Sequence, residues 1–291
     1  MVSDIDEIRD SKLKLQRGNI MFEPFYKEEK VLSKKPFVDA EVQFNLFYCI
    51  IEGKEVIALK TRDNNAIALQ NPGYPMWLWI SELLPKSTID NIVDSLCNQL
   101  KDSKIKGISG KPEFVKEFAK QYSKITGAIN KISLSMESYE CKKVVKPKKV
   151  SGKLIKAELN HLDIIAEFWV GFAFDCFGIS IVKEKQIPGV KSMIESGNLY
   201  LWEVEEKICG MVNIAHRSEK YARINNVYTS IEQRKKGYAS AMVSVVCSML
   251  IKEGLIPMLY ADITNDDSNK VYKTIGFVEK GRIDNFVFDY K

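Results

Sequence analysis

Histidine is nearly absent from the sequence, and the cysteines are not arranged as metal ligands or as pairs. Only His161 and His216 occur in 291 residues, and none of the six cysteines forms a C-x-x-C motif. Zinc sites and disulfide frameworks need clustered ligands, so this spacing argues against both. We expect no metal cofactor and six reduced thiols, most of them buried as small apolar groups. The cysteines are Cys49, Cys97, Cys141, Cys176, Cys209 and Cys247.

Long apolar runs and a strong charge excess are also lacking. No apolar run reaches the roughly 18–20 residues that span a bilayer, and Met1–Lys12 is too charged for a signal peptide. We therefore expect a cytoplasmic protein with no membrane partner. The net charge of +5 is too small to mark a nucleic-acid-binding protein, although a basic face can attract a small polyanion such as a nucleotide cofactor. The sequence carries no signal for an oligomeric state.

One stretch lacks acidic residues altogether. Cys141–Lys156 contains seven lysines together with Pro147 and Gly152. This composition is typical of an exposed connector and predicts two domains, 1–141 and 154–291, joined by a basic linker at 142–153. Contact with nucleic acid or with a membrane is the alternative reading of these lysines. A nucleic-acid-binding function ranks last because the stretch has no interleaved aromatic residues.

Both halves alternate short strands with helices, which predicts an α/β fold. In the first half we expect strands at Gln43–Ile51, Val56–Lys60, Ala66–Leu69, Met76–Ile80 and Ile105–Ser109, and helices at Thr88–Leu100 (N-cap Thr88) and Pro112–Tyr122. In the second half we expect helices at Leu159–Phe174, Val182–Glu195, Gly237–Lys252 and Asp267–Ile275, and strands at Leu199–Val204, Ile208–Ala215, Ala222–Thr229, Met258–Ile263 and Phe286–Tyr290. The similar order suggests a duplicated fold.

The stretch that carries chemistry is Val227–Val243. A strand ends near Thr229, and the helix after it begins with the small residues Gly237, Ala239 and Ser240. A helix N-terminus offers unpaired N–H groups and about half a positive charge, and glycine lets a phosphate approach the backbone closely. Arg234, Lys235 and Lys236 add positive charge beside it. The alternative is an ordinary strand–turn–helix with a basic turn. The dinucleotide fingerprint and the Walker loop do not fit.

These residues resemble a known family. Arg234-Lys-Lys-Gly237-Tyr238-Ala239 is similar to the (Q/R)-x-x-G-x-(G/A) pyrophosphate loop of the GNAT superfamily of acyl-CoA-dependent N-acyltransferases. Leu259-Tyr-Ala-Asp262 resembles the strand that follows in this family. Asn265 to Phe277 resembles its N-x-x-(A/S)-x-x-x-Y-x-x-x-G-F segment. The resemblance covers about residues 154–290. It implies tandem GNAT-like domains, each with a mixed, mostly antiparallel central sheet flanked by helices.

The resemblance also implies roles for particular residues. Backbone N–H groups of the loop would hold the pyrophosphate of acetyl-CoA or another acyl-CoA, and the preceding strand would pair with the pantetheine amides. Asn265 and Asn269 would contact the coenzyme from the next helix. The implied coenzyme-binding residues are Val227, Tyr228, Thr229, Arg234, Lys235, Lys236, Gly237, Tyr238, Ala239, Ser240, Asn265 and Asn269.

Catalytic roles follow from the same comparison. Tyr272 matches the family tyrosine that protonates the departing thiolate, and a phenol is a chemically suitable acid for that step. The alternative is a tyrosine that only completes the core. Many members carry a carboxylate base on the strand before the loop, but here that strand reads Arg223-Ile-Asn-Asn226. Asp262 is the nearest candidate base, Glu203 is another, and a water chain could serve equally well. Asp262 could instead organise the turn toward Asn265.

The implied reaction is direct transfer of an acetyl group to a primary amine of a small-molecule or amino-acid-like acceptor. A non-catalytic acyl-CoA-binding sensor is the alternative, because no obvious base is present. The first half has SELLPKS where a cradle would be, so we expect one coenzyme site, in the second half. The first half would then form a wall of the acceptor pocket or pack against the catalytic domain.

Overall fold

The computed structural model describes residues 22–290, which form twelve strands and seven α-helices. The helices are α1 Leu46–Ile50, α2 Lys86–Leu100, α3 Pro112–Thr126, α4 Leu162–Phe177, α5 Lys183–Glu195, α6 Tyr238–Lys252 and α7 Asp266–Ile275. The strands are β1 Phe22–Pro24, β2 Ile57–Thr61, β3 Ala66–Gln70, β4 Met76–Ile80, β5 Gly107–Gly110, β6 Ile129–Glu140, β7 Lys153–Lys156, β8 Leu199–Val204, β9 Lys207–Arg217, β10 Tyr221–Thr229, β11 Ile256–Asp262 and β12 Val278–Asp289.

The chain divides into two compact units whose boundaries differ from the expected ones at 141, 142–153 and 154. Among the described residues, the second unit is Ser135–Arg282, and the first consists of residues 22–134 together with residues 283–290. The reason is that two long strands each contribute to both units. The end of β6 pairs with β11 in the second unit, and the end of β12 pairs with β5 in the first.

In the first unit, β1 to β4 form an antiparallel meander, and β5 returns parallel to β4. Helix α2 makes the connection between β4 and β5, as parallel neighbours require. Residues 284–287 of β12 then pair antiparallel with β5. The core packs α2 and α3 against one face of these strands, with Leu78, Leu96 and Phe118 fully buried.

The second unit repeats this order. Strands β7 to β10 are antiparallel, and β11 lies parallel to β10 after the α6 crossover. Residues 136–140 of β6 complete the sheet beside β11. One core packs α6 and α7 against the strands, and a second core packs α4 and α5. The predicted α/β class, with a mixed, mostly antiparallel sheet flanked by helices, is confirmed.

Several parts of the secondary structure differ from the sequence prediction. Gln43–Ile51, predicted as a strand, forms turns followed by the short helix α1. Its apolar run includes Phe44, Phe47 and Ile50, whose helical spacing buries them on one side. Helix α2 begins after Pro85 as N-cap, so Thr88 lies inside the helix and does not cap it. Strands β1, β6 and β7 were not predicted.

The basic segment does not form a free connector between the units. Residues 142–152 have no regular structure and are mostly exposed, but all of them belong to the second unit. Val144 and Val150 pack against the core beneath α6, and the indole N–H of Trp202 donates to the Ser151 carbonyl oxygen at 3.2 Å. Over residues 22–290, none of the helices combines the length and apolarity needed to cross a bilayer.

Candidate active site

The two parallel strands of the second unit separate soon after they meet. Pairing between β10 and β11 runs from Tyr221 opposite Ile256 to Arg223 opposite Met258. Strand β10 continues to Thr229 and β11 to Asp262, but their described residues form no further pairs with each other. The register of β10 with β9 also shifts between Asn225 and Tyr228. The result is an opening between the strand ends, bordered by unpaired backbone of β10.

A cavity of about 760 Å³ begins at this opening and extends past the start of α6 to α7. Its size falls in the range of small-molecule sites. Eleven of the residues singled out from the sequence line it, which brings together segments up to 45 positions apart. They are Val227, Tyr228, Thr229, Arg234, Lys235, Gly237, Tyr238, Ala239, Ser240, Asn265 and Tyr272.

The start of α6 is arranged to receive an anion. Gly237 is the N-cap residue with φ +82°, a left-handed conformation that glycine adopts without strain, and no side chain caps the helix. The first turn closes with the Ala241 N–H donating to the Gly237 carbonyl oxygen at 3.0 Å. The N–H groups of Tyr238, Ala239 and Ser240 therefore precede the bonded part of the helix. They form the positive end of a 15-residue helix, and all three residues line the cavity.

Arg234 extends across this opening. Its Nε donates to the Thr229 carbonyl oxygen at 3.1 Å, and its guanidinium carbon lies 5.5 Å from the centre of the Tyr228 ring. The terminal nitrogen forms an ion pair with Asp175 at the end of α4. Lys235 lines the cavity. Lys236 does not, and its ammonium group donates to Gln233 Oε1 at 2.8 Å.

Tyr272 and Cys176 both line the cavity and are close enough to interact electrostatically. Tyr272 is 8% exposed, and its burial raises the pKa of its phenol well above the ordinary value. Burial raises the pKa of the Cys176 thiol to about 11, and the nearby charges of Asp175 and Asp262 act in the same direction. Both groups are therefore held neutral at physiological pH. A neutral phenol can donate a proton or a hydrogen bond, which is the chemistry that an acid in this position needs.

The predicted residues after β11 stabilise the local turn. Asp262 Oδ1 accepts from both the N–H and the hydroxyl of Thr264, at 2.8 and 2.7 Å. Asn265 is the N-cap of α7 and accepts from the Ser268 N–H at 3.0 Å. The Asn269 amide donates to the Asp262 and Asn265 carbonyl oxygens and accepts from the Tyr139 hydroxyl. Asn265 lines the cavity, but Asp262 and Asn269 are outside its described lining.

Sequence reasoning missed the α4 side of the cavity. Phe172, Asp175 and Cys176 line it from the last turns of that helix. These three residues belong to no recognisable sequence motif. They reach the opening because α4 packs over β10. Among residues 22–290 there is no group of three or more His, Cys, Asp or Glu side chains that could hold a metal ion.

Comparison with known proteins agrees with this geometry. A protein-family model described as the acetyltransferase (GNAT) family matches residues 169–277, which include α4, the opening, α6 and α7. No curated protein matches the chain. Several solved structures share the fold at low sequence identity, and at that level the likeness concerns the fold alone.

Three such structures cover nearly the whole chain. A GNAT-family acetyltransferase from Colwellia psychrerythraea is 13% identical, with a TM-score of 0.56, over 92% of this chain and 99% of that chain. A GCN5-related N-acetyltransferase from Kribbella flavida is 7% identical, with a TM-score of 0.58, over 87% and 95%. A Drosophila protein is 10% identical, with a TM-score of 0.64, over 94% and 99%. The family model thus identifies residues 169–277 as an acetyltransferase (GNAT) domain, and the three solved structures show the likeness of the fold alone.

Proposed function

We propose that this protein is a cytoplasmic N-acyltransferase that transfers an acetyl group from acetyl-CoA to a primary amine of a small-molecule or amino-acid-like acceptor. The observation that carries the proposal is the continuous cavity from the free N–H groups of α6 to the opening between β10 and β11. An anionic group fits the helix start, and an extended arm with amide groups fits the unpaired edge of β10. Acyl-CoA combines these two features and supplies the thioester.

The residues around Gly237 are compatible with a bound acyl-CoA. A Cβ at Gly237 would approach Val150 Cγ2 to 3.1 Å and would require a strained left-handed backbone, so a side chain here is disfavoured on both counts. Backbone N–H groups of 238–240 would hold the pyrophosphate, and Val227–Thr229 would pair with the pantetheine arm. Lys235 and Arg234 add positive charge at the same end of the cavity.

Tyr272 would act as the acid when the thiolate departs. In the proposed reaction the amine nitrogen bonds to the acyl carbon, the carbon–sulfur bond breaks, and the Tyr272 proton moves to sulfur. The raised pKa of Tyr272 keeps that proton available. Asp262 remains the candidate base through Oδ2, because its hydrogen bonds from Thr264 use Oδ1. A water chain is the other route for the amine proton.

A sensor that binds acyl-CoA without turnover is the second candidate. It is favoured by one observation: Asn225 and Asn226 stand on β10 where many members of the family carry a carboxylate, and the candidate base Asp262 contributes to a turn. Coenzyme binding is common to both candidates, and turnover separates them.

Binding is tested by calorimetry with acetyl-CoA on wild type and Gly237→Glu. The substitution places a carboxylate where an anion is expected, and we expect at least a tenfold loss of affinity. Gly254→Glu is a matched control, because Gly254 has the same φ of +82° and follows the other end of α6, with nothing within 4 Å of an added Cβ. Equal affinity in wild type and Gly237→Glu would remove the cradle assignment.

Turnover is tested by incubating the wild-type protein with acetyl-CoA and a library of primary amines while free thiol is measured. Release of coenzyme A that requires both the amine and an intact Gly237 supports the enzyme. Tight coenzyme binding without thiol release across the library would support the sensor.

We also propose that the first unit is a diverged copy of the second. Its support is the shared order of an antiparallel meander, a helical crossover to a parallel strand, a further helix and a final long strand. The copy lacks a cradle, since α2 begins after Pro85 and its approach contains no glycine. One coenzyme site per chain is the expected stoichiometry in the calorimetry above.

A further inference from the structure

The lysine-rich segment 142–152 lies against α6 and α7, two of the helices that line the cavity. The Val145 N–H donates to the Ile275 carbonyl oxygen at 2.7 Å, at the end of α7. A Cβ on Gly276 would clash with the Lys143 carbonyl oxygen. Val150 lies beside Gly237, at the start of α6. The segment therefore runs from the end of α7 to the anion-receiving end of α6.

Its charge is not neutralised. Lys143, Lys146, Lys148 and Lys149 are exposed, and within residues 22–290 none of them forms an ion pair. Lys142 differs, because it pairs with Glu140 at 3.0 Å. An exposed connector has no need for packing that fixes its path, and a packed segment gains no stability from repelling like charges. A segment whose backbone is held in place and whose lysines have no acidic partner is suited to bind an anionic ligand.

The position of the segment limits what that ligand can be. Consecutive Cα atoms are about 3.8 Å apart, so Lys149 and Lys148 start within one or two residues of the contact between Val150 and Gly237. Lysine carries its charge on a flexible four-carbon stem. Both ammonium groups can therefore reach an anion just outside the helix start. Lys235 and Lys270, which line the cavity, carry positive charge on its other sides.

We infer that Lys146, Lys148 and Lys149 bind a second phosphate of the coenzyme, the one on the 3′ position of its ribose. This inference rests on the proposed function and deepens it. The ribose that carries the pyrophosphate also carries this phosphate, so the group lies within one sugar ring of the cradle at α6. The N–H groups of α6 satisfy the pyrophosphate, and the lysine segment provides the charge for the remaining dianion.

The inference is tested by comparing coenzyme A with its 3′-dephospho form by calorimetry, at about 50 mM salt where screening is weak. In wild type, coenzyme A is expected to bind about tenfold or more tightly than the dephospho form. In Lys148→Gln/Lys149→Gln the preference is expected to fall at least threefold, with the affinity for the dephospho form nearly unchanged. Adding Lys146→Gln reduces the preference further.

The matched control is Lys220→Gln/Lys252→Gln, which removes the same charge at the far end of α6. Both lysines are exposed, and the 15-residue helix places Lys252 about 20 Å from the cradle. An unchanged preference in the segment variant, or an equal fall in the control, would overturn the inference and leave the proposed function intact. Failure of wild type to bind either ligand would reject both. Loss of single-stranded oligonucleotide binding, with the coenzyme preference unchanged, would assign the lysines to nucleic acid instead.

Discussion

The guanidinium of Arg234 is paired with the carboxylate of Asp175, so that a side chain of α4 neutralises a cation at the mouth of the cavity. The same guanidinium bonds to the Thr229 carbonyl oxygen and lies over the Tyr228 ring. Arg234 therefore covers a part of the β10 edge that an extended arm would use. Asp175 holds it there and also places a negative charge where the proposed coenzyme brings several more.

Replacing Asp175 with asparagine is expected to strengthen coenzyme binding about two- to fivefold. The substitution removes a carboxylate from the cavity and releases Arg234 to face the pyrophosphate. The gain is modest because both partners are partly exposed, and such pairs contribute about 0–1 kcal/mol. Calorimetry at two salt concentrations measures the effect, which should shrink at the higher one.

Asp163→Asn is the control for this change. Asp163 is on the same helix and pairs with Lys183 at 2.6 Å, but it does not line the cavity. We expect it to leave coenzyme affinity unchanged. If Asp175→Asn binds coenzyme more weakly, Asp175 and the coenzyme do not compete for Arg234. Asp175 would then position Arg234 for coenzyme binding.

Gly171→Ala is expected to damage the opening from the α4 side. A Cβ at Gly171 would clash with the Tyr228 hydroxyl and approach Cζ to 2.7 Å, so the ring that supports Arg234 must move. Overpacking of this kind costs about 1–3 kcal/mol, which exceeds the roughly 1 kcal/mol that alanine gains over glycine in a helix. Thermal unfolding should show a lower Tm, and calorimetry should show weaker coenzyme binding.

Gly189→Ala, in the neighbouring helix α5, is expected to stabilise the protein. An added Cβ at Gly189 meets nothing within 4 Å, so alanine should raise the free energy of unfolding by up to about 1 kcal/mol. If both substitutions stabilise the protein equally, the close approach of α4 to Tyr228 is not a constraint in solution.

Local signals predicted most of the fold, and long-range pairing explains the failures. Helices such as α6 and strands such as β4 follow apolar periodicity and were found within a few residues of their ends. Strand β6 was missed because its run INKISLSMESYE is mostly polar, and its stability depends on pairing with β11, which lies far along the chain. The domain boundaries depended on that same pairing and could not be read from composition.

The candidate site was predictable wherever it consists of backbone geometry. The Gly237 turn and the spacing to Tyr272 are local features, and the structure brings both to one cavity. Asp175 and Cys176 were not predictable, because their role depends on how α4 crosses β10. The lysine segment has the composition of a linker, but composition indicates exposure and does not reveal the packing of Val144 and Val150 against the core.

Cys176 is expected to react slowly with iodoacetamide at pH 7 and faster as the pH rises. Its pKa of about 11 leaves only about 0.01% thiolate at pH 7, and the rate should grow about tenfold per pH unit. Coenzyme A should protect the thiol, since Cys176 lines the cavity. Mass spectrometry of the Cys176 peptide measures both effects, with Cys176→Ser confirming the assignment. Rapid labelling at pH 7 that ignores coenzyme would place this thiol outside the site.

Tyr272→Phe is expected to lower kcat by about 10²-fold or more while the coenzyme dissociation constant changes less than about twofold. The hydroxyl is needed only when the thiolate departs, whereas the ring completes the core in both proteins. Tyr238→Phe is the matched control, because Tyr238 also lines the cavity but contributes its backbone N–H to the cradle. Its kcat should remain within about twofold of wild type.

The pH profile of the same reaction tests the protonation state of Tyr272. An acid works below its own pKa, and burial raises the pKa of Tyr272 above its ordinary value of 10. Between pH 7 and about 9.5, kcat of the wild type should therefore not fall through loss of the phenol proton. A decline in that window that is present in wild type and absent in Tyr272→Phe would show that the phenol ionises early, and it would contradict the burial of this group in the working enzyme. A decline shared by both proteins belongs to another group, and Asp262→Asn then tests whether the carboxylate after β11 takes part.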